Sequence, residues 1–86
     1  MPINPPELLE QAAKTFRERG EEYGDYKVCM TVFSQLVTQR LGVHVSPSQC
    51  AGIMVDLKQT RLLYDPTHTD SAKDKIVYEA MCLALL

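Results

Sequence analysis

The segment ERGEEYGD, residues 18–25, decides where the first helix of this chain ends and the second begins. It contains four carboxylates and two glycines and follows a strongly helical stretch. Gly20 offers a first stop for that helix and Gly24 a second, because glycine readily adopts the left-handed conformation that closes a helix. We therefore predict a boundary here, with the next helix starting at about Asp25.

The first helix lies upstream of this boundary. Its start is marked by NPPE at residues 4–7, since asparagine accepts hydrogen bonds from free backbone N–H groups and proline is tolerated in the first turn. The apolar residues that follow recur at helical spacing, and they are Leu9, Ala12, Ala13 and Phe16. The pattern predicts a helix over residues 5–20.

Three further helices are predicted downstream, over residues 25–41, 47–64 and 69–85. Gly42 is placed to close the second, Ser46-Pro47 repeats a cap-then-proline signal for the third, and Thr67 or Thr69 can cap the fourth. The apolar stripes that support these helices are Cys29, Val32, Phe33, Leu36 and Val37, then Cys50, Ile53, Met54 and Leu57, then Ile76, Val77, Ala80, Met81 and Ala84.

Four helices with short connections favour an all-α fold, a compact antiparallel bundle formed by residues 1–86 as a single domain. A chain of 86 residues buries only about 60–65% of its unfolded surface, so small helical domains often gain stability by pairing. We therefore expect the protein to form a homo-oligomer through apolar stripes that one bundle cannot bury.

Composition excludes several classes of partner and compartment. A net charge of −2 and a pI near 5.6 do not supply the basic surface that nucleic-acid binding needs. No run of residues approaches a membrane span, and residues 1–6 contain no targeting signal. The three cysteines lack C-x-x-C spacing and follow the apolar stripes, as expected for reduced core residues. We expect a cytoplasmic protein that binds neither nucleic acid nor membrane.

Carboxylates cluster at the end of the first helix. Glu18 is three residues from Glu21 and four from Glu22, so the three can share one face, and Asp25 lies just beyond. Negative charge at a helix C-terminus opposes the helix dipole, which costs free energy unless cations neutralise it. We therefore expect cationic groups or a metal ion opposite this cluster.

Two arrangements would satisfy the cluster. Lys58 and Arg61, three residues apart on the third helix, would form a network of salt bridges with the glutamates. Asp70 and Asp74, four apart at the start of the fourth helix, would instead complete a Mg²⁺ site, and the basic pair would then bind phosphate. Acidic residues are also favoured in a first helical turn for their own sake, which alone accounts for Asp70.

Other possible chemistry has weaker support in the sequence. His44, His68 and the cysteines lack zinc-ligand spacing, and nothing places a histidine beside a cysteine for nucleophilic catalysis. Tyr23 and Tyr78 could stack on a nucleobase, although tyrosine at a helix boundary more often contributes to packing.

Three separated motifs carry a resemblance to known proteins. RGEEYGD at residues 19–25, KQTRL at 58–62 and PTHTDSAKDKIVYEA at 66–80 resemble a family of small phage and prophage proteins with ERG…YG, K-x-x-R and H-x-D-S-x-x-D-x-x-x-Y motifs. Their order and helical placement are also similar to a reduced form of the MazG-like all-α nucleotide pyrophosphohydrolases. Those enzymes hold Mg²⁺ between E-x-x-E and E-x-x-D motifs.

The resemblance implies a phage-type accessory protein acting in the host cytoplasm as a Mg²⁺-dependent nucleoside triphosphate pyrophosphohydrolase. Glu18-x-x-Glu21 matches the first motif, whereas Ser71-x-x-Asp74 retains only the aspartate of the second, with Asp70 as a substitute. It further implies dimers or tetramers. The metal ligands would be Glu18, Glu21, Glu22, Asp70 and Asp74, with Glu21 and Asp74 as catalytic carboxylates and Lys58 and Arg61 on the phosphates.

A second hypothesis is a non-enzymatic accessory or inhibitor protein that binds a host protein. It is motivated by the short chain and the incomplete second metal motif. Such a protein needs an exposed apolar patch and no catalytic groups.

Overall fold

A computed structural model of the chain describes residues 4–86 and contains four α-helices. α1 spans Pro5–Tyr23, α2 Tyr26–Leu41, α3 Pro47–Tyr64 and α4 Thr69–Ala84. No strand occurs within this part of the chain. The predicted all-α bundle is confirmed. The predictions that concern residues 1–3, namely the lack of a targeting signal there and their place in the domain, lie outside the described residues.

The segment ERGEEYGD contains the predicted boundary, but the end predicted for the first helix was wrong. Gly20 lies inside α1, and the helix closes one turn later, where the N–H of Gly24 donates to the Gly20 carbonyl at 2.9 Å. Gly24 has a φ of 82°, which only glycine adopts without strain. Asp25 then caps α2, because its carboxylate accepts from the N–H of Lys27 at 2.8 Å. Two residues therefore separate the helices.

The connection from α2 to α3 is fixed by hydrogen bonds. Gly42 closes α2 in the left-handed conformation, with a φ of 73°. The N–H of Val45 donates to the Thr38 hydroxyl at 2.9 Å, so the link folds back on α2. Ser46 and Gln49 form a reciprocal capping box at the start of α3. The predicted bounds of α3 are confirmed.

His68 caps α4, whereas the sequence pattern predicts Thr67 or Thr69 in that role. The ring nitrogen Nδ1 of His68 accepts from the N–H of Ser71 at 3.2 Å and lies 2.7 Å from the Ser71 hydroxyl. Thr67 is engaged in the preceding turn, where its N–H and hydroxyl both donate to Asp65. These two bonds lower the pKa of Asp65.

The tightest packing lies between α3 and α4, which contact each other more extensively than any other pair of helices. Small residues allow the close approach: Cys50 and Ala51 are fully buried, and Ser71 is 1% exposed. Ser48 donates its hydroxyl proton to the Cys82 carbonyl at 2.7 Å. α1 packs on α4 and α2 packs on α3, whereas α1 and α2 touch only slightly.

Much of the predicted apolar core is exposed in a single chain. Within residues 4–86 the buried apolar residues are Ala12, Cys50, Ala51 and Val77. Nine residues of the predicted stripes are instead exposed: Leu9, Ala13, Phe16, Val32, Leu36, Ile53, Leu57, Ala80 and Ala84. The sequence pattern identified the helices correctly but not which sides of them are covered in one chain.

Candidate functional site

A cluster of charged side chains joins three of the four helices. Asp74 on α4 lies 3.1 Å from the Lys58 ammonium on α3, measured from Oδ2 to Nζ. Its other oxygen, Oδ1, lies 3.6 Å from Nη2 of Arg19 on α1. The side chains of Asp74 and Lys58 are only 14% and 12% exposed, whereas that of Arg19 is 49% exposed. Asp74 is therefore a largely buried carboxylate between two cations.

Helical spacing explains why these charges face inward. Arg19 lies three residues after Phe16 and seven after Ala12, on the side of α1 that packs against α4. Asp74 lies midway between buried Ser71 and buried Val77 on α4. A neighbouring contact, from Lys75 to Gln59 at 2.6 Å, also links α4 to α3. The cluster carries two positive charges and one negative charge, and so retains a net positive charge.

Arg19 and Asp74 line a cleft of about 600 Å³ between α1, the start of α2 and α4, which we name the polar cleft. Most of its remaining wall is aromatic or apolar. Phe16 and Tyr26 meet there edge to face, with ring centroids 5.4 Å apart. Tyr23 and Tyr78 also line the polar cleft. Lys58 does not line it and instead contacts Asp74 from α3.

The Tyr78 hydroxyl is suited to donate a hydrogen bond in the polar cleft. Burial raises the pKa of Tyr78, and the negative charge of Asp74 raises it further. The phenol is therefore protonated at neutral pH. Together, Arg19 and Tyr78 provide the cleft with a cation and a neutral donor.

Four of the five carboxylates predicted as metal ligands lie outside this cleft, and Asp74 alone of the five lines it. Glu18, Glu21 and Glu22 are exposed on α1 and do not line it, and Glu18 lies 3.9 Å from Lys14. Asp70, 79% exposed, pairs instead with Lys73 at 3.2 Å. Nowhere in residues 4–86 do three His, Cys, Asp or Glu side chains group so that they could hold a metal ion. Asp74 is thus a single carboxylate between two cations.

The two predicted phosphate-binding residues occupy different places. Lys58 pairs with Asp74, and not with the glutamates of the predicted salt-bridge network. Arg61 is exposed in a separate shallow cleft of about 400 Å³ at the turn between α3 and α4, beside Tyr64 and His68. Within a single chain the predicted site residues are thus distributed over at least three surfaces.

Arg19 is the site residue that sequence reasoning missed. Its signal was present, because an arginine on the apolar stripe of Ala12 and Phe16 must either be paired or face a cleft. The neighbouring glutamates form a more conspicuous motif and masked that signal. Tyr26 was also missed, since it opens α2 and carried no motif.

The three cysteines lie on three different helices. All three are free thiols, and burial raises the pKa of Cys50, which disfavours its thiolate. Cys29 donates weakly to the Tyr23 carbonyl, with sulfur and oxygen 3.3 Å apart. Within residues 4–86, none of the helices combines the length and the apolar character that crossing a membrane would require.

Comparison with known proteins gives a family for this fold and cleft. Neither the curated proteins nor the solved structures contain a match to the chain. A family model, described as a domain of unknown function, DUF6378, matches residues 7–85, which include all of the charged cluster and both walls of the polar cleft. The chain belongs to the DUF6378 family.

Proposed function

We propose that the protein binds a nucleoside triphosphate in the polar cleft and hydrolyses it to the monophosphate and pyrophosphate. The observation that supports this most is that Arg19 and Asp74, the latter held by Lys58 from behind, line a cleft of about 600 Å³ with apolar and aromatic walls. That volume, and a few polar groups within an apolar lining, are typical of small-molecule sites.

Arg19 is the proposed phosphate contact. Lys58 lies closer to Asp74 than Arg19 does, at 3.1 Å against 3.6 Å, so the carboxylate has a partner even when Arg19 turns to a ligand. A guanidinium offers paired N–H donors that match phosphate oxygens. The charged residues that line the cleft are Arg19, Asp25 and Asp74, so an anionic ligand would bind through Arg19 and would be favoured as its Mg²⁺ complex.

The tyrosines would hold the nucleobase. Tyr23 and Tyr78 line the same cleft as Arg19, and aromatic side chains stack on bases of any sequence. Tyr78 can also donate its hydroxyl proton to a base or a sugar, because its phenol is protonated at neutral pH. Phosphate and base would therefore lie at neighbouring parts of one cleft.

Hydrolysis is the part of the proposal that rests on the resemblance to MazG-like enzymes. Water would attack the α-phosphorus, breaking its bond to the bridging oxygen and releasing pyrophosphate. Mg²⁺ would enter as the nucleotide complex, since it is held largely by phosphates and water and needs few carboxylates. Asp74 and Glu21 are the proposed catalytic carboxylates. The further candidate ligands are Glu18, Glu22 and Asp70, and Arg61 is a second candidate for phosphate.

Calorimetry and pyrophosphate release test this proposal together. Ribo- and deoxyribonucleoside triphosphates with Mg²⁺ or Mn²⁺ should bind to the wild-type protein and release pyrophosphate. Arg19→Met should weaken binding about 10-fold or more, since hydrogen bonds to charged groups contribute about 1.5–3 kcal/mol. Arg40→Met, which removes an exposed arginine at the end of α2, should bind like wild type. Absence of binding to every nucleotide, or equal binding by both variants, would reject the proposal.

A second candidate function is binding of another protein without catalysis, as a phage accessory or inhibitor protein acting on a host protein. The observation that favours it is the exposed apolar surface on α2 and α1, where Val28, Leu36 and Leu9 are each more than half exposed. Recovery of a host protein at near-stoichiometric level on immobilised protein, together with no nucleotide binding, would support this candidate.

A further inference from the structure

The chain exposes more surface than a folded monomer of its mass normally does. Its accessible surface is 6143 Å². A monomer of 9.7 kDa is expected to expose about 5,100 Å², so the excess is about 1,000 Å². A stable protein–protein interface buries about 800 Å² per partner. One interface of ordinary size would remove most of the excess.

Part of this excess is a concave apolar surface between α1 and α4, which we name the apolar groove. It has a volume of about 390 Å³ and continues from the polar cleft, with which it shares Phe16, Tyr26, Val77 and Met81. Its outer edge includes Leu9 and the two exposed alanines Ala13 and Ala80. Within the described residues, no other helix of the same chain covers these edges.

A convex apolar surface lies nearby on α2, which we name the α2 stripe. Val28, Val32 and Leu36 recur every four residues, so they lie on one face, and they are 48–62% exposed. Cys29, which lines the polar cleft, lies three residues before Val32 and seven before Leu36. The α2 stripe therefore lies next to the edge of the polar cleft on the surface of α2.

We propose that a second copy of this chain covers both surfaces, with the α2 stripe of each copy seated in the apolar groove of the other. In a two-fold dimer the same patch meets itself, so a patch that contains a ridge beside a groove is self-complementary. The area that one chain needs to bury matches what such a dimer buries. This inference does not depend on nucleotide binding, because the polar end of the surface, at Arg19 and Asp74, takes no part in it.

The first test is the mass of the protein in solution without nucleotide. Sedimentation of the wild-type protein should give the mass of two 9.7 kDa chains. Val32→Glu, which places a charge on the α2 stripe, should reduce this to one chain at the same concentration while the far-UV circular dichroism stays helical. The matched control is Leu63→Glu on α3, because Leu63 is 74% exposed and lies outside both surfaces. The control should remain a dimer.

A mixing experiment then tests which surface meets which. Ala80→Lys changes the groove and leaves the stripe intact, and it should also be a monomer alone. In an equimolar mixture with Val32→Glu, each heterodimer has one unaltered stripe–groove contact and one contact in which the introduced carboxylate faces the introduced ammonium. The mixture should therefore recover the mass of two chains.

The outcomes separate the alternatives. A wild-type protein that stays at the mass of one chain at high concentration would overturn the proposal and favour a different protein as the occupant. An Ala80→Lys protein that remains a dimer would also overturn it, because a change in the groove would have no effect if the two α2 stripes contacted each other instead. Recovery on mixing supports the reciprocal arrangement directly.

Discussion

The contact between α3 and α4, which we name the α3–α4 seam, and the surface formed by α1 and α2, which we name the α1–α2 side, differ in how completely one chain buries their side chains. At the seam, Cys50, Ala51 and Ser71 are almost fully buried and Ser48 is hydrogen-bonded across it. On the α1–α2 side, the helices barely touch, and valine and leucine side chains are about half exposed. Small residues allow two helices of one chain to pack closely. Large side chains that no other helix covers leave grooves on the surface.

This difference separates the well-packed part of the molecule from the part that carries its open surfaces. The seam orders α3 and α4, and Lys58 and Asp74 extend it towards α1. The open side carries the polar cleft and the apolar groove. A rigid pair of helices thus supports a surface that can accept a ligand or a second chain.

The largest difference in stability is expected when alanine is replaced by leucine at the α3–α4 seam and on the α1–α2 side. Ala51→Leu should lower the free energy of unfolding by about 3 kcal/mol, because a fully buried alanine has no room for three more carbons. Ala13→Leu, at an exposed position lining the groove, should change that of the protein diluted to a monomer by less than about 0.5 kcal/mol. Urea denaturation of both variants measures the difference. Equal losses would show that the two sides are packed alike.

The next contrast is between a paired and an unpaired carboxylate. Asp74→Asn should cost about 2 kcal/mol, because it leaves the largely buried Lys58 ammonium without its partner. Glu21→Gln, on the exposed surface of α1, should fall within about 0.5 kcal/mol of wild type. Thermal melting of both variants without metal provides the measurement. A more stable Asp74→Asn protein would mean that Asp74 is strained by neighbouring carboxylates, as a metal site would require.

A smaller loss of unfolding free energy is expected from removing the His68 cap at the start of α4. His68→Ala should cost about 1 kcal/mol, because the N–H of Ser71 loses its acceptor. His68→Asn should recover most of this, since asparagine is a favoured cap. Denaturation curves of the two variants decide the point. Equal losses would show that the ring contributes through packing and not as a cap.

The smallest expected effect is a dependence of stability on alkaline pH. The pKa of Tyr78 is raised in the folded protein, so the unfolded chain releases this proton first as the pH rises above about 10. Stability should therefore fall with pH from that point. Tyr78→Phe should reduce the slope, and Tyr64→Phe, which removes a phenol from a residue 94% exposed, is the control. The measurement is the urea midpoint between pH 8 and 11. The same slope of midpoint against pH in the two variants would contradict the prediction.

The sequence predicted the helices well because their signals are local. The Asn4 and Ser46 caps and the glycine at position 42 act on the neighbouring backbone, and each lies where the pattern indicated. Asp25, predicted as the first residue of the second helix, is its cap. The misplaced end of α1 has the same local character, since either of two glycines satisfied the pattern. Only the competition between them in the folded chain selects Gly24.

The candidate site was less predictable because it depends on contacts across helices. Spacing showed that Lys58 and Asp74 were charged residues on helical faces, but it could not show that they face each other. The three glutamates formed the more conspicuous motif, yet they lie outside the polar cleft. Arg19 was identifiable only by asking why an arginine should follow an apolar stripe.

Hydrogen–deuterium exchange at low and high protein concentration tests the contrast between the two sides most directly. Amides of α2 should exchange quickly when the protein is dilute and gain protection as dimers form, because the α2 stripe is then covered. Amides at the α3–α4 seam should be protected at both concentrations. If α2 is as protected as the seam in dilute protein and does not respond to concentration, one chain satisfies both sides, which would contradict the contrast between them.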